Sequence, residues 1–164
     1  MIAEKSDPNA FRAAMRRFPT GVTVVTTILD GTPKGFTANA FASVSAEPPM
    51  VLICVNRRAR SHPLIARAGH FCVNILRLDQ QCVAERFATR GEDDPFATIA
   101  YRSERTGSPV FEDSLAYLDC KLAEEHTAGT HTIFIGKVLR CGSRDGAPLG
   151  YFNATYRDFR CTTP

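Results

Sequence analysis

Residues 115–142 read "LAYLDCKLAEEHTAGTHTIFIGKVLRCG", two long strand-like runs that meet at Ala128 and Gly129. In the second run Thr132, Ile133, Phe134 and Ile135, β-branched and aromatic residues bounded by Gly129 and Gly136, have the composition of a half-buried strand. His131 sits at the mouth of that strand, and the residues leave two readings of it. Its ring nitrogens either find partners at a strand end, or the ring is presented to a ligand.

Upstream, further strands follow the same grammar. "VTVVTTIL" (22–29) runs into Asp30-Gly31, a strong hairpin signal, so two antiparallel strands are expected in succession. Pro48 and Pro49 interrupt the backbone before a fully apolar run, Met50 to Val55, which reads as a central strand, and "HFCVNIL" (70–76) is another. Beyond residue 142, "PLGYFNATYRDF" (148–159) predicts a short closing strand and an aromatic tail.

Helices are few. Asp7 before Pro8 predicts a capped first helix whose Phe11, Met15 and Phe18 share an apolar face, ended by Pro19 and Gly21. Ser61 is expected to cap a helix over Leu64, Ile65 and Ala68 that Gly69 stops, and Asp79 to cap one carrying Val83, Ala84 and Phe87. Thr89 to Pro109, rich in Gly, Asp and Arg, reads as loop with a turn at Asp94, Pro95 and Phe96. Six or seven strands with tight turns, and no helix after each strand, favour a mainly β protein: a closed or split antiparallel barrel with a few short helices.

Composition limits the function. The 164 residues, 44 % hydrophobic and 23 % charged, suit one domain spanning 1–164 with an ordinary core. No apolar run approaches the roughly 18 residues of a membrane span, and the N-terminal stretch lacks the apolar core and cleavage site of a signal peptide, so a cytoplasmic protein with no membrane partner is expected. Cys54, Cys72, Cys82, Cys120, Cys141 and Cys161 form no C-x-x-C pair and no Cys/His cluster, which predicts reduced thiols and no metal site. The net charge of +3 is too slight for a nucleic-acid binder. Arg57, Arg58 and Arg60 in "RRAR" read either as a solvated loop or as a patch for a small ligand's phosphates.

Signatures of hydrolases, P-loop NTPases, zincins and Rossmann domains are all missing. Cys54 makes a poor nucleophile, lying in an apolar strand with no cation nearer in sequence than Arg57. In "GFTANAFASVSAEPP" (35–49) small and polar residues stand where a strand normally carries bulk. Either a flat ligand approaches the backbone there, or Phe36, Ala38 and Ala40 alternate against another sheet.

The chain resembles the short-chain flavin reductases, the small reductase components of two-component flavin-dependent monooxygenases, and looks particularly like the reductase component of 4-hydroxyphenylacetate 3-monooxygenase and its relatives. The stretches that carry the resemblance are "FPTGVTVVTT" (18–27), "GFTANAFASVSAEPPMVLICVN" (35–56), "FCVNIL" (71–76), "QQCVAERFA" (80–88), "GTHTIFIG" (129–136) and "YFNATYRDF" (151–159), in family order. It implies a split β-barrel of Greek-key type that binds FMN or FAD, uses NADH or NADPH, usually forms a homodimer and serves a partner flavin-dependent monooxygenase. A flavin-binding electron carrier is the alternative.

Site residues follow from the same resemblance. Thr37, Ala38, Asn39 and Ala40 match the segment against the isoalloxazine ring, and Cys54, Val55 and Asn56 the neighbouring strand end. Ser61 and His62 match the turn at the ribityl and phosphate, where free N–H groups at a helix start would also favour an anion. Arg86, Phe87 and Arg90 match the phosphate end, and Tyr156 and Arg157 a tail folded toward the same place. His131, in the family's Gly-x-His turn beside the flavin, is implied in nicotinamide binding and is the candidate catalytic residue. The three arginines before Ser61 depart from the family's usual serine or threonine run and leave the preferred flavin open.

Overall fold

The computed structural model describes residues 7–89 and 94–160. Its main sheet contains β2 (Thr23–Leu29), β3 (Thr32–Ala38), β4 (Phe41–Ala46), β5 (Pro49–Asn56), β6 (His70–Ile75), β9 (Ala116–Ala128) and β10 (His131–Ser143). All neighbours are antiparallel, in the order β3-β2-β6-β9-β10-β5-β4. Consecutive strands β3 and β4 therefore lie at opposite ends of the sheet, yet only Asn39 and Ala40 join them.

That short link dictates the shape. Flat, seven strands would hold their edges about 29 Å apart, whereas Ala38 to Phe41 can reach about 11 Å fully extended. The sheet must curl until its edges approach. Among the described residues β3 and β4 form no ladder, so the barrel is split at this seam. The β9–β10 hairpin lies between β6 and β5, which gives the chain its Greek-key path.

Turn chemistry sets the hairpins. Asp30 and Gly31 both have positive φ (52° and 72°), as a two-residue type I′ turn requires. The β9–β10 turn is Gly129-Thr130, with Gly129 at φ 58°, one residue later than the sequence suggested. Valines and aromatics fill the interior: Val25, Val51, Ile53, Phe71, Val73 and Phe134 are all buried. Each such side chain contributes about 1.5–3 kcal/mol by leaving water.

Several expectations change. The apolar run of β5 alternates: Val51, Ile53 and Val55 are buried while Met50, Leu52 and Cys54 are half-buried, and the strand lies next to the edge rather than at the centre. α1 (Pro8–Met15) has its Asp7 cap, but Phe11, Met15 and Phe18 are 64 %, 51 % and 64 % exposed, because α1 lies outside the barrel. α2 (His62–Ala68) ends at Gly69 as expected. Asp79 is not the cap of α3 (Gln81–Ala88); it sits in a 3-10 turn, Leu78–Gln80, where the Arg77 side chain binds its carboxylate. Within the stretch read as loop, β7 (Tyr101–Ser103) pairs with β8 (Pro109–Phe111), and Phe96 turns inward against Phe87 with ring centroids 4.9 Å apart.

The C-terminal stretch is a hairpin, not one strand. β11 (Leu149–Phe152) and β12 (Thr155–Asp158) form a small sheet with β1 (Thr20–Gly21), turning at Asn153 (φ 51°) and Ala154 (φ 62°). A left-handed alanine costs roughly 1–2 kcal/mol that glycine avoids. Ala154→Gly is expected to raise the unfolding free energy by about 1 kcal/mol in urea titrations, after the greater freedom glycine has in the unfolded chain is subtracted. A loss of stability would disprove the strain.

Candidate functional site

The seam of the barrel is where polar backbone stays open. Ala40 accepts a hydrogen bond from the Cys54 N–H (3.0 Å), Asn39 accepts from the Phe41 N–H (3.0 Å) and Ala38 from the Thr23 hydroxyl (2.7 Å). The link's carbonyls are thus engaged, while the N–H groups of Asn39 and Ala40 have no acceptor among the described residues. They are fixed donors beside small side chains. Asn39 and Ala40 are exposed, whereas an unsatisfied amide in a dry core would be costly.

Barrel closure brings the predicted segments to this point. Thr37–Ala40, Cys54–Asn56, Ser61 and His131 border one open cleft of about 270 Å³, with Phe36 and Ala59. Antiparallel register sets His131 opposite Asn56, and its Nδ1 lies 3.0 Å from the Thr130 hydroxyl. The Asn56 side chain accepts from the Arg58 N–H (2.9 Å) and its carbonyl from the Ala59 N–H (2.9 Å), an Asx turn that folds "RRAR" back over the cleft's end. The Thr37 hydroxyl is already bonded to the Ala84 carbonyl at 2.5 Å, tying β3 to α3.

The turn at Ser61 differs from the sequence argument. The first N–H groups of α2 are engaged: His62 donates to the Ala59 carbonyl (3.1 Å) and Leu64 to the Ser61 carbonyl (3.2 Å), while Pro63 has none. An anion here would meet the Ser61 hydroxyl, which makes no capping bond, rather than a helix start. His62 does not border the cleft. Its Nε2 is 2.8 Å from the Thr132 hydroxyl and its ring packs 5.3 Å from that of Phe134, so it joins α2 to the barrel wall.

Other candidates are dispersed. Arg86 binds the Thr98 hydroxyl. Phe87 is core, 5 % exposed, with one ring edge toward a neighbouring groove. Arg90 lies outside the described residues. Tyr156 stands with Tyr151 in a cleft of about 190 Å³ that shares Thr37, Ala38 and Asn39 with the first. Burial, with the Glu85 carboxylate a smaller cause, raises its phenol above the ordinary value. Arg157, next on β12, projects to the opposite face. The sequence reading missed Lys34, Phe36 and Ala59. Strand alternation from Thr32 sets Lys34 and Phe36 in one row, a signal with no meaning until the groove beside β3 is seen.

Burial raises the Cys54 thiol above its ordinary value, and pushes Cys120 up to about 12 with the Asp119 carboxylate helping. A raised thiol pKa keeps the group protonated and unreactive at neutral pH. Iodoacetamide at neutral pH is expected to label exposed Cys82 and Cys141 first, Cys54 later, and buried Cys72 and Cys120 only on unfolding. Peptide mapping by mass spectrometry checks the order, and Cys54 reacting fastest would reopen the nucleophile reading.

Along the seam of this split barrel, N–H donors without an acceptor among the described residues and small side chains border one open cleft. Residues 15–160 match the flavin reductase like domain family, and the chain belongs to it. It is 42 % identical over 157 residues to the flavin-dependent monooxygenase reductase subunit HsaB of Rhodococcus jostii, covering 95 % of this chain and 80 % of that one. It is 39 % identical to the FMN reductase (NADH) SmoA of Agrobacterium fabrum, covering 92 % and 85 %. The structure of flavin reductase PheA2 superposes with a TM-score of 0.87 at 37 % identity, covering 95 % of this chain and all of the other.

Proposed function

We propose that this protein is an NAD(P)H-dependent flavin reductase that supplies reduced FMN or FAD to a partner flavin-dependent monooxygenase. The observation that carries the reading is the pair of N–H groups at Asn39 and Ala40 with no acceptor among the described residues, in a small-residue link that borders the same cleft as His131. A flavin ring has carbonyls for those donors and a flat face for Ala38 and Ala40, so the residues present fit it. When bound, the flavin supplies the hydride acceptor and the nicotinamide the donor.

The chain's own work is positioning. Asn39 and Ala40 hold the ring's polar edge, Cys54 and Val55 supply apolar contact, Ser61 meets the phosphate end, and His131 steadies the nicotinamide. Asn39, Ala40 and Asn56 are exposed, which favours a flavin that exchanges with solvent over one locked in place. Among the described residues no helix is long and apolar enough to cross a membrane. A cytoplasmic homodimer is part of the proposal, because a second copy would cover the exposed apolar side chains of α1.

The test is consumption of NADH and NADPH by purified protein with riboflavin, FMN or FAD added in turn. Flavin-dependent multiple turnover is expected. Flavin that survives gel filtration but turns over poorly would overturn the reading in favour of an electron carrier, and no flavin binding would leave a barrel of another purpose.

A further inference from the structure

The cleft does not end at Ser61. Phe36, Thr37, Ala59 and Ser61 also border a larger groove of about 800 Å³ that runs between β3, the Asx turn and the end of α3. Lys34, Arg58 and Arg60 line it, all exposed, and none makes an ion pair among the described residues. Against them stands Asp94, one oxygen of which already accepts from the Phe96 N–H at 3.0 Å. Among the described residues these three cations stand beside one carboxylate, repel one another, and have no ion-pair partner to hold them there. Arg57, by contrast, does not line the groove, and its N–H donates to the Thr130 carbonyl at 3.0 Å. Pro33, Leu64 and Pro95 add apolar wall between the charges.

Volume and charge describe the same occupant. The ring cleft, at about 270 Å³, lies just below the roughly 300–1,000 Å³ of whole small-molecule sites, and the groove beyond it is near the top of that range. Planar guanidinium groups grip phosphate bidentately and stack on flat bases. We propose that this groove is the subsite for the second phosphate and the adenine of a dinucleotide flavin, so that Lys34, Arg58 and Arg60 make the protein select FAD over FMN. The proposal rests on the reading that places a flavin ring in the adjoining cleft.

Fluorescence titration of the protein with riboflavin, FMN and FAD, without any nicotinamide, tests it. FAD is expected to bind at least about tenfold tighter than FMN, with the steeper salt dependence. In the doubly substituted Arg58→Ala, Arg60→Ala protein the FAD dissociation constant should rise about tenfold or more while that for FMN stays within about threefold. AMP, which carries only the second phosphate and the adenine, should displace FAD but not FMN. Lys34→Ala, on another element, should weaken FAD in the same direction, and the exposure of all three residues keeps folding out of the result. Equal affinity of the parent for FMN and FAD overturns the inference, as does equal weakening of both flavins in the double variant. Unchanged flavin binding with a raised KM for NADH would also overturn it, and assign the groove to the nicotinamide dinucleotide. Absence of any flavin binding would instead remove the reductase reading itself.

Discussion

Gly136→Ala is expected to lower the unfolding free energy by about 3 kcal/mol, the upper end of what overpacking a core costs. Gly136 lies on β10 opposite a bulge in β9, where Ala123 is the extra residue between the partners of Ile135 and Gly136, so the hairpin bends there as the barrel closes. A Cβ there would stand 2.5 Å from Phe71 Cζ and 2.9 Å from Cys120 Cβ. Phe71 and Cys120 are both fully buried, and Phe71 is held by the barrel on every side. Neither neighbour can yield without opening the core. Gly150→Ala is the control: its Cβ would come even closer to the Phe159 ring, but that ring is 45 % exposed and can swing into solvent. A loss under about 1 kcal/mol is expected there. Urea denaturation without flavin measures both, and similar small losses would mean that the core around Phe71 is looser than its burial implies.

The same contrast explains what the sequence could disclose. Hairpins announced themselves where the turn needed positive φ and glycine supplied it, at Asp30-Gly31 and Gly129. The β11–β12 hairpin stayed hidden because Asn153-Ala154 makes the same kind of turn without a glycine. Strand composition showed that a barrel was possible, but the pairing of β5 with β10 and of β6 with β9 is non-local and leaves no mark on either segment. Phe96 was invisible as core because Asp94 and Pro95 before it signal a turn, although its ring packs on Phe87.

Site residues obey a similar rule. Thr37–Ala40, Cys54–Asn56, Ser61 and His131 come from four separate stretches, and barrel closure sets them around one cleft. Sequence adjacency misleads within each stretch: Ser61 borders the cleft while His62 turns to Thr132, and Tyr156 faces Ala38 while Arg157 faces away. Likewise, Asp79 has the right type for a helix cap, but Arg77 two residues earlier captures its carboxylate first. Burial then decides for the cysteines, whose raised pKa values no spacing rule contains.

His131→Ala is expected to lower kcat/KM for the nicotinamide donor about tenfold to a hundredfold, while flavin affinity changes by less than about threefold. The ring is held firmly for a residue at a strand end. Its backbone is the first position of β10, paired with Asn56 on one side and Ala128 on the other, and the turn before it is tied down by the Arg57 N–H on the Thr130 carbonyl at 3.0 Å. Contact between Nδ1 and the Thr130 hydroxyl fixes the ring's rotation and leaves Nε2 for a ligand. Because His131 borders the same cleft as the Asn39 and Ala40 donors but on another strand, its loss should disturb what lies over the flavin more than the flavin itself. His131→Asn, which keeps a hydrogen-bonding side chain, should recover part of the rate, and Thr130→Ala should cost a smaller factor by freeing the ring. Steady-state rates at saturating flavin, paired with flavin titrations of each variant, separate the two ligands. Unchanged kcat and KM for the nicotinamide in His131→Ala would show that the imidazole only satisfies its own strand end, the other reading that its position in the sequence allows.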